Sequence, residues 1–322
     1  MKKIKSALIG KKPVKHLKET YEQIYHDSSI WQFSKFDGVH SIIWHVIKDK
    51  LNNARVLDVG CGAGRLTLYL GLRAKKVMGI DFSKKAIERA KFIQKFVNLP
   101  NVEFCVGEIN KIHGEKFNVV VFADVLEHVN NPVKTLRLAN RLLEDDGVII
   151  FSCPGFMNLR GIIYKTLLNA LELPMSLADL RRVNYVDVFS WSKKSGFTVE
   201  KIIGGLYSLG WEEEARKDLI ERLPKVLKDK PIKEINLNSF NNWLRKEEKL
   251  YLDFYRYLLK KYLKKSKIFL KLKLSKSKKI DRYSWDHINK YLTLGFKRDP
   301  YFCDVFPFNL WGGETIYLLR KI

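Results

Sequence analysis

The stretch of sequence that decides the fold runs from residue 55 to residue 65 and reads Arg-Val-Leu-Asp-Val-Gly-Cys-Gly-Ala-Gly-Arg. Its first five residues are mostly apolar and predict a short buried strand. Glycines follow at positions 60, 62 and 64, and residues 66–70 then predict a helix. A strand, a glycine-rich turn and a helix N-terminus in this order place backbone N–H groups against a ligand. Glycine is needed in the turn because a Cβ atom would block the ligand or the left-handed backbone.

A second strand with an acid at its end follows the glycine turn. Residues 76–80 predict this strand, and Asp81 comes directly after it. An acid about 20 residues after such a loop can accept hydrogen bonds from both hydroxyls of a ribose. These features together predict a nucleotide-containing cofactor. The glycine spacing alone fits a nicotinamide cofactor as well, so it does not identify the ligand.

The loop also resembles motif I of the class I S-adenosylmethionine-dependent methyltransferases, because Asp58 stands two residues before the first glycine. Four later stretches resemble the other motifs of this family in the family's order: residues 80–83, 101–109, 117–129 and 142–152. The resemblance covers about residues 50–155. It implies an α/β fold with a doubly wound, seven-stranded Rossmann-like sheet. It also implies S-adenosylmethionine as the cofactor and methyl transfer as the reaction.

The same resemblance implies which residues bind the cofactor. Asp81 would hold the ribose, and Phe82 would lie against the adenine. Glu108 and Ile109 would contact the edge and the face of the adenine. Asp124 lies where the family's chain turns beneath the sulfonium and methionine moiety. The glycine loop would line the methionine end of the cofactor through Asp58, Gly60, Cys61, Gly62 and Gly64.

A cluster of two acids and a histidine follows the predicted fourth strand. Asp124, Glu127 and His128 lie within one turn if a helix begins at Asp124. The cluster resembles a run in the ubiquinone-pathway O-methyltransferases, which implies His128 as a general base beside the substrate. A second interpretation of the same resemblance is that Asp124, Glu127 and His128 bind Mg²⁺. The competing interpretation is structural, with the acid capping and orienting the helix. We expect His128 to be the catalytic residue and no metal to be bound.

The last two strands of the fold are far apart in the sequence. Residues 185–196 predict a helix, residues 197–203 a sixth strand and residues 314–320 a seventh. We therefore predict four parts, with an appended C-terminal domain as the alternative. They are a basic arm with lid helices (1–50), a cofactor-binding core (51–205), a basic, mainly helical insert that recognises the substrate or covers the pocket (206–310), and a final core strand (311–322). Residues 212–228 and 238–265 are the helices predicted within the insert.

The net charge of +24 is concentrated in two segments. Residues 1–18 carry seven lysines and no acid, and residues 256–298 carry fifteen Lys and Arg against two Asp. Such segments favour contact with phosphate, either in an anionic membrane surface or in nucleic acid. The alternative is a solvated lysine-rich surface that has no partner.

The composition also bears on location and partners. No apolar run reaches the roughly 18 residues of a membrane-spanning helix, and the four cysteines lack a metal-binding spacing. The N-terminus lacks the pattern of a signal peptide. We expect a cytoplasmic enzyme, with peripheral contact to an anionic membrane as a further expectation. The predicted reaction is O-methylation of a small-molecule or lipid-like acceptor. Two hypotheses compete with it: an RNA methyltransferase whose basic insert binds the phosphate backbone, and a non-catalytic cofactor-binding or assembly subunit.

Overall fold

The computed structural model describes residues 38–155, 157–158, 161, 181, 183–206, 239, 242–243, 245–246, 302–304, 308–310 and 312–322. The predicted N-terminal arm and the predicted helices at 212–228 and 238–265 lie wholly or largely outside these residues. The described helices are α1 (Gly38–Ile47), α2 (Arg65–Gly71), α3 (Lys84–Val97), α4 (Pro132–Leu142) and α5 (Tyr185–Ser195). The strands are β1 (Arg55–Val59), β2 (Lys76–Asp81), β3 (Val102–Val106), β4 (Phe117–Ala123), β5 (Leu143–Pro154), β6 (Phe197–Gly205), β7 (Phe302–Cys303) and β8 (Glu314–Lys321).

The strands form one mixed sheet in the order β3-β2-β1-β4-β5-β8-β6-β7. Strands β1 to β5 pair in parallel, and β8 pairs antiparallel with β5, with Arg320 opposite Val148. Strand β7 contributes only two residues, which pair with Gly204 and Gly205 of β6. The main sheet therefore has seven strands and helices between its parallel members. This confirms the predicted doubly wound α/β fold.

The centre of the sheet is apolar on both faces. Strands β1 and β4 are neighbours there, with Leu57 paired to Val120. Both of these side chains are fully buried, as are Phe122 and Phe151 further along the core. Parallel strands covered by helices on both faces need such unbroken apolar runs. The ring of Phe151 also stacks on Tyr317 of β8 at 5.0 Å, which joins the antiparallel strand to the core.

The strand order reverses between β1 and β4, because β2 and β3 continue on one side and β5 on the other. In open sheets of this kind, ligands bind at the carboxyl ends of the strands beside this reversal. The chain leaves β1 at Gly60 and β4 at Asp124, and both residues therefore lie at that edge. The topology thus places the glycine loop and the Asp124 segment next to one another.

The condition that a helix begins at Asp124 is not met, because the helix after β4 begins at Pro132. The side chain of Asn131 caps the helix by accepting a hydrogen bond from the Lys134 backbone at 3.0 Å, and Pro132 takes the first helical position. Asp124 itself has a φ of 55°, which is left-handed backbone and lies outside the right-handed region that a residue within a helix needs. Residues 124–130 form turns and bends.

The predicted seventh strand is confirmed as β8. It lies between β5 and β6 in the sheet, and the Ile322 backbone N–H donates to the Gly196 carbonyl at 3.1 Å. The chain divides into two compact units. The first comprises Met1–Pro154, Ser176–Ile203 and Glu314–Ile322, and the second comprises Gly155–Met175 and Gly204–Gly313. The predicted four-part division remains a prediction. Among the described residues, no helix has both the length and the apolar character needed to cross a membrane.

Gly71 tests how closely α2 packs on the sheet. A Cβ atom built there would lie 2.3 Å from a methyl carbon of buried Val102, so Gly71→Ala must displace the β3 side chain. We expect it to lower the free energy of unfolding by about 1–3 kcal/mol, measured by urea denaturation. Gly107→Ala is the matched control, because a Cβ atom there meets nothing within 4 Å. Equal effects of the two substitutions would contradict this packing.

Candidate active site

The glycine loop after β1 is held against the end of β2. The backbone N–H groups of Gly60 and Cys61 both donate to the Ile80 carbonyl, at 2.8 and 3.0 Å. Gly60 and Gly64 have φ values of 72° and 80°. A Cβ atom at Gly60 would lie 2.6 Å from a methyl carbon of Val125. The loop therefore needs glycine both for its backbone conformation and for the close approach of the segment after β4.

Asp81 joins three parts of this edge of the sheet. Its Oδ2 accepts from the Gly62 backbone at 2.9 Å, and its Oδ1 accepts from the Ser83 backbone at 2.8 Å. Its carbonyl accepts from the Gly107 N–H at 2.9 Å. The side chain is 7% exposed. Asp81 thus fixes the glycine loop, the start of α3 and the turn after β3 relative to one another.

Asp58 lies on β1 just before the loop and is 1% exposed. It accepts a hydrogen bond from the Thr67 hydroxyl at 2.6 Å. Burial raises the pKa of its carboxyl group from 3.8 to about 7, the Thr67 hydrogen bond opposes this rise, and the nearby Asp81 charge adds to it. Burial also raises the pKa of the Cys61 thiol well above 9.0, with further contributions from Asp58 and Asp81. The thiol is therefore neutral at neutral pH and unsuited to act as a nucleophile.

The residues predicted to contact the adenine follow β2 and β3. Phe82 is half-buried directly after Asp81, and Ile109 is 8% exposed. Glu108 is exposed and precedes a short 3-10 turn, Ile109–Lys111. An acid that accepts from hydroxyls, next to apolar side chains that can cover a ring, suits a nucleoside. The donor and acceptor types at these strand ends therefore fit the adenosine part of the predicted cofactor.

Asp124 is fixed by a serine of the neighbouring strand. The Ser152 hydroxyl donates to Asp124 Oδ1 at 2.5 Å and accepts from the Asp124 N–H at 3.0 Å. Ser152 is fully buried on β5, and Asp124 is half-buried. The two hydrogen bonds hold Asp124 in its left-handed conformation beside the glycine loop. This arrangement stores backbone strain where the chain turns into the site.

The acid–histidine pair lies on the turn that follows. Glu127 is 2% exposed, and the side chain of His128 is 13% exposed. Their nearest oxygen and nitrogen, Glu127 Oε1 and His128 Nε2, are 4.0 Å apart. In the part of the chain that the structure describes, no group of three or more His, Cys, Asp or Glu is arranged to hold a metal ion. The geometry therefore brings Glu127 and His128 together as a pair.

Three supporting residues were missed by the sequence reasoning. Thr67 binds Asp58, Ser152 binds Asp124, and Arg181 holds the acid–histidine turn. The Arg181 guanidinium donates to the carbonyls of Val129 and Asn130. Thr67 could have been suspected as the one hydroxyl at the start of α2. Neither Ser152 nor Arg181 has a signal in the sequence, because each acts across strands or across some fifty residues.

Comparison with known proteins finds a family model and relatives that match part of this chain. A family model described as a methyltransferase domain matches residues 50–191. The ubiquinone biosynthesis O-methyltransferase of Pseudomonas fluorescens (strain SBW25) is 27% identical over 187 residues, which is 55% of this chain and 79% of that protein. The corresponding enzyme of strain Pf-5 is 28% identical over 188 residues, 54% of this chain and 80% of that protein. A solved structure of magnesium protoporphyrin IX methyltransferase from Synechocystis PCC 6803 covers 58% of this chain and 78% of that one, with 21% identity and a TM-score of 0.42.

The domain at residues 50–191 thus belongs to the class I S-adenosylmethionine-dependent methyltransferases. The protein is a methyltransferase that uses S-adenosylmethionine as its cofactor. This confirms the resemblance seen in the sequence and the predicted cofactor. The roles of the individual site residues remain predictions, which the substitutions below test.

Asp81→Asn tests the predicted ribose contact. Asn keeps the size of the side chain but loses the charge and one acceptor, so hydroxyl donors bind it more weakly. We expect the dissociation constant for S-adenosylmethionine, measured by calorimetry, to rise by about tenfold to a hundredfold. Glu103→Gln is the matched control, because it removes an exposed carboxylate from the neighbouring strand β3 and should leave the affinity unchanged. An unchanged affinity of Asp81→Asn would remove the ribose assignment.

Asp58→Asn tests the raised pKa of the buried carboxyl group. Between about pH 4 and pH 7, the Asp58 carboxyl group is protonated in the folded protein but ionised in the unfolded chain. Asp58 therefore lowers the stability of the parent as the pH rises through this range. The asparagine side chain of the variant does not ionise, so the variant lacks this loss of stability. From pH 5 to pH 8, its free energy of unfolding should therefore increase relative to the parent by about 2–3 kcal/mol, measured by urea denaturation.

The control for this pH series is Asp146→Asn, which removes an exposed carboxylate from β5. Its difference from the parent should stay nearly constant over the same pH range. A constant difference for Asp58→Asn would show that Asp58 ionises in the folded protein as it does in the unfolded chain, and would contradict the effect of burial.

Proposed function

We propose that the protein transfers the methyl group of S-adenosylmethionine to a hydroxyl oxygen of a small-molecule or lipid-like acceptor. The observation that carries this proposal is the Glu127–His128 pair, which follows directly after Asp124 on the turn beyond β4. The names of the ubiquinone biosynthesis O-methyltransferases support the same type of reaction. A hydroxyl acceptor, unlike an amine, needs a base to remove its proton as the methyl group arrives.

His128 is suited to this task by its partial exposure. An imidazole with 13% of its side chain exposed can meet an acceptor while being mostly shielded from water. Glu127 is buried, and its carboxylate lies 4.0 Å from His128 Nε2. A proton taken up by His128 would place the imidazolium beside the Glu127 carboxyl group.

The bound cofactor supplies a methyl group on a positively charged sulfur, which is already activated toward displacement. Such a cofactor would give its methyl carbon to the acceptor oxygen, and the electron pair of the broken carbon–sulfur bond would stay on the sulfur. The acceptor proton passes to His128. The protein contributes mainly by position: Asp81 and Asp124 fix the strand ends on which the two reactants must meet. Correct positioning alone can supply much of the rate of such a displacement.

The acceptor class can be tested with S-adenosylmethionine carrying a labelled methyl group. We expect label to appear in organic-soluble or small-molecule fractions of an extract of the source organism. Bulk tRNA is the competing acceptor, because residues 1–18 and 256–298 concentrate positive charge. Label in material that resists protease but is destroyed by nuclease would overturn the small-molecule proposal in favour of RNA.

His128→Ala tests the base. We expect kcat for the identified acceptor to fall by about a hundredfold to ten-thousandfold, while the dissociation constant for S-adenosylmethionine stays unchanged. His113→Ala, at an exposed histidine outside the pair, is the control and should leave kcat unchanged. Unchanged turnover of His128→Ala would remove the base assignment without affecting the family assignment.

A further inference from the structure

The outward face of α3 exposes apolar side chains that a surface helix normally covers. Phe92 is 54% exposed and Phe96 is 75% exposed. The two phenylalanine rings pack edge to face on one another, with centroids 5.1 Å apart and planes at 67°. They are one helical turn apart, so together they form one apolar projection at the C-terminal half of the helix.

The same face is strongly basic. The helix has five basic residues and one acid, Glu88, which lies 3.7 Å from the Lys84 ammonium. With 3.6 residues per turn, the exposed lysines and the two phenylalanines fall within an arc of about 140°. The lysines exposed on this arc are Lys84, Lys85, Lys91 and Lys95. We call this arc, with Phe92 and Phe96, the α3 face.

The opposite side of α3 is fixed to the sheet. Ala86, Ile87 and Ala90 are buried, and the Gln94 side chain donates to the Leu99 and Val102 carbonyls at 3.1 and 2.6 Å. The Ser83 hydroxyl caps the first turn by accepting from the Ala86 backbone at 3.1 Å. The helix therefore cannot rotate to bury its phenylalanines against its own domain, and their exposure is a fixed property of this fold.

We propose that the α3 face binds the surface of membranes that contain anionic phospholipids, with Phe92 and Phe96 entering the interface and the lysines meeting lipid phosphates. Aromatic side chains flanked by lysines on one helix face are the pattern of interfacial membrane binding. Lysine stems can lie along the apolar boundary while their ammonium groups reach the phosphates. The charge of each lysine adds to the attraction of an anionic surface.

Charge decides against a second copy of the chain as the occupant. Two α3 faces brought together would place eight lysines against two glutamates, and such like-charge contacts are unfavourable. Nucleic acid would also attract the lysines, but base stacking uses the flat face of an aromatic ring. Here the two rings pack on each other. An anionic lipid surface matches both the charge and the apolar projection, and it does not depend on which acceptor is methylated.

The test measures how the full-length protein partitions onto vesicles of phosphatidylcholine, with and without phosphatidylglycerol, at physiological ionic strength. We expect Phe92→Ser/Phe96→Ser to lower the partition coefficient on the mixed vesicles by at least tenfold. Phe189→Ser is the matched control, because Phe189 is 52% exposed on α5 and lies outside the α3 face. It should change the coefficient by less than twofold.

A second pair of variants separates charge from apolar contact. Lys91→Glu/Lys95→Glu should also lower partition on the mixed vesicles by at least tenfold, and the loss should shrink at high salt. Lys193→Glu/Lys194→Glu makes the same charge change at exposed positions of α5 and is the control. Unchanged calorimetric binding of S-adenosylmethionine and an unchanged melting temperature show that each variant is folded.

Three outcomes would overturn the proposal. The first is a partition coefficient of Phe92→Ser/Phe96→Ser within twofold of that of the parent, or a decrease in this coefficient that Phe189→Ser reproduces. The second is that the variants of the α3 face lose binding to bulk tRNA in a gel shift but keep their binding to vesicles, which would make the α3 face a nucleic-acid surface. The third is that the parent is a dimer in sedimentation velocity and the variants of the α3 face are monomers that still bind vesicles. This would make the α3 face an interface between copies.

Discussion

The structure of the site depends on one carboxylate, that of Asp81. The two carboxylate oxygens accept hydrogen bonds from the backbone N–H groups of Gly62 and Ser83. The backbone carbonyl of Asp81 accepts a hydrogen bond from the Gly107 N–H. The loop after β1, the start of α3 and the turn after β3 are therefore fixed by one residue at the end of β2. Backbone N–H groups are strong donors whose burial without a partner is costly, so this carboxylate stabilises the loop as well as shaping it. A cofactor that bound here would meet a loop already in place.

The position of Asp81 has an electrostatic consequence for the rest of the site. A second acid, Asp58, is buried nearby, and the Asp81 charge adds to the rise that burial causes in the Asp58 pKa. The Thr67 hydroxyl partly offsets this for Asp58. On the other side of the strand reversal, Ser152 fixes Asp124, which leads into the Glu127–His128 pair. The site is thus built from acids held by hydroxyl and backbone donors, which suits a cofactor that carries positive charge on its sulfur.

Much of this could be predicted from the sequence, because the decisive signals are local. The glycine loop, the acid after β2 and the apolar strand runs each lie within a few residues and follow from backbone sterics and burial. The seventh strand was also predictable, although it lies over a hundred residues after the sixth. The start of α4 was not, because Asp124 looked like a helix cap while the stronger cap, Asn131 followed by Pro132, came later. Contacts such as Arg181 with the Val129 carbonyl depend on the folded topology and leave no pattern in the sequence.

The central claim is that Asp81 holds the glycine loop in place before any cofactor binds. The most direct test is amide hydrogen exchange at Gly62 in the protein without cofactor, compared between the parent and Asp81→Asn. We predict exchange at Gly62 to be at least about tenfold faster in the variant, since losing about 1.4 kcal/mol of hydrogen bonding raises the open population by that factor. Gly60 is the internal control, because its N–H donates to the Ile80 carbonyl and should be little affected. Equal exchange at Gly62 in the two proteins would contradict the claim.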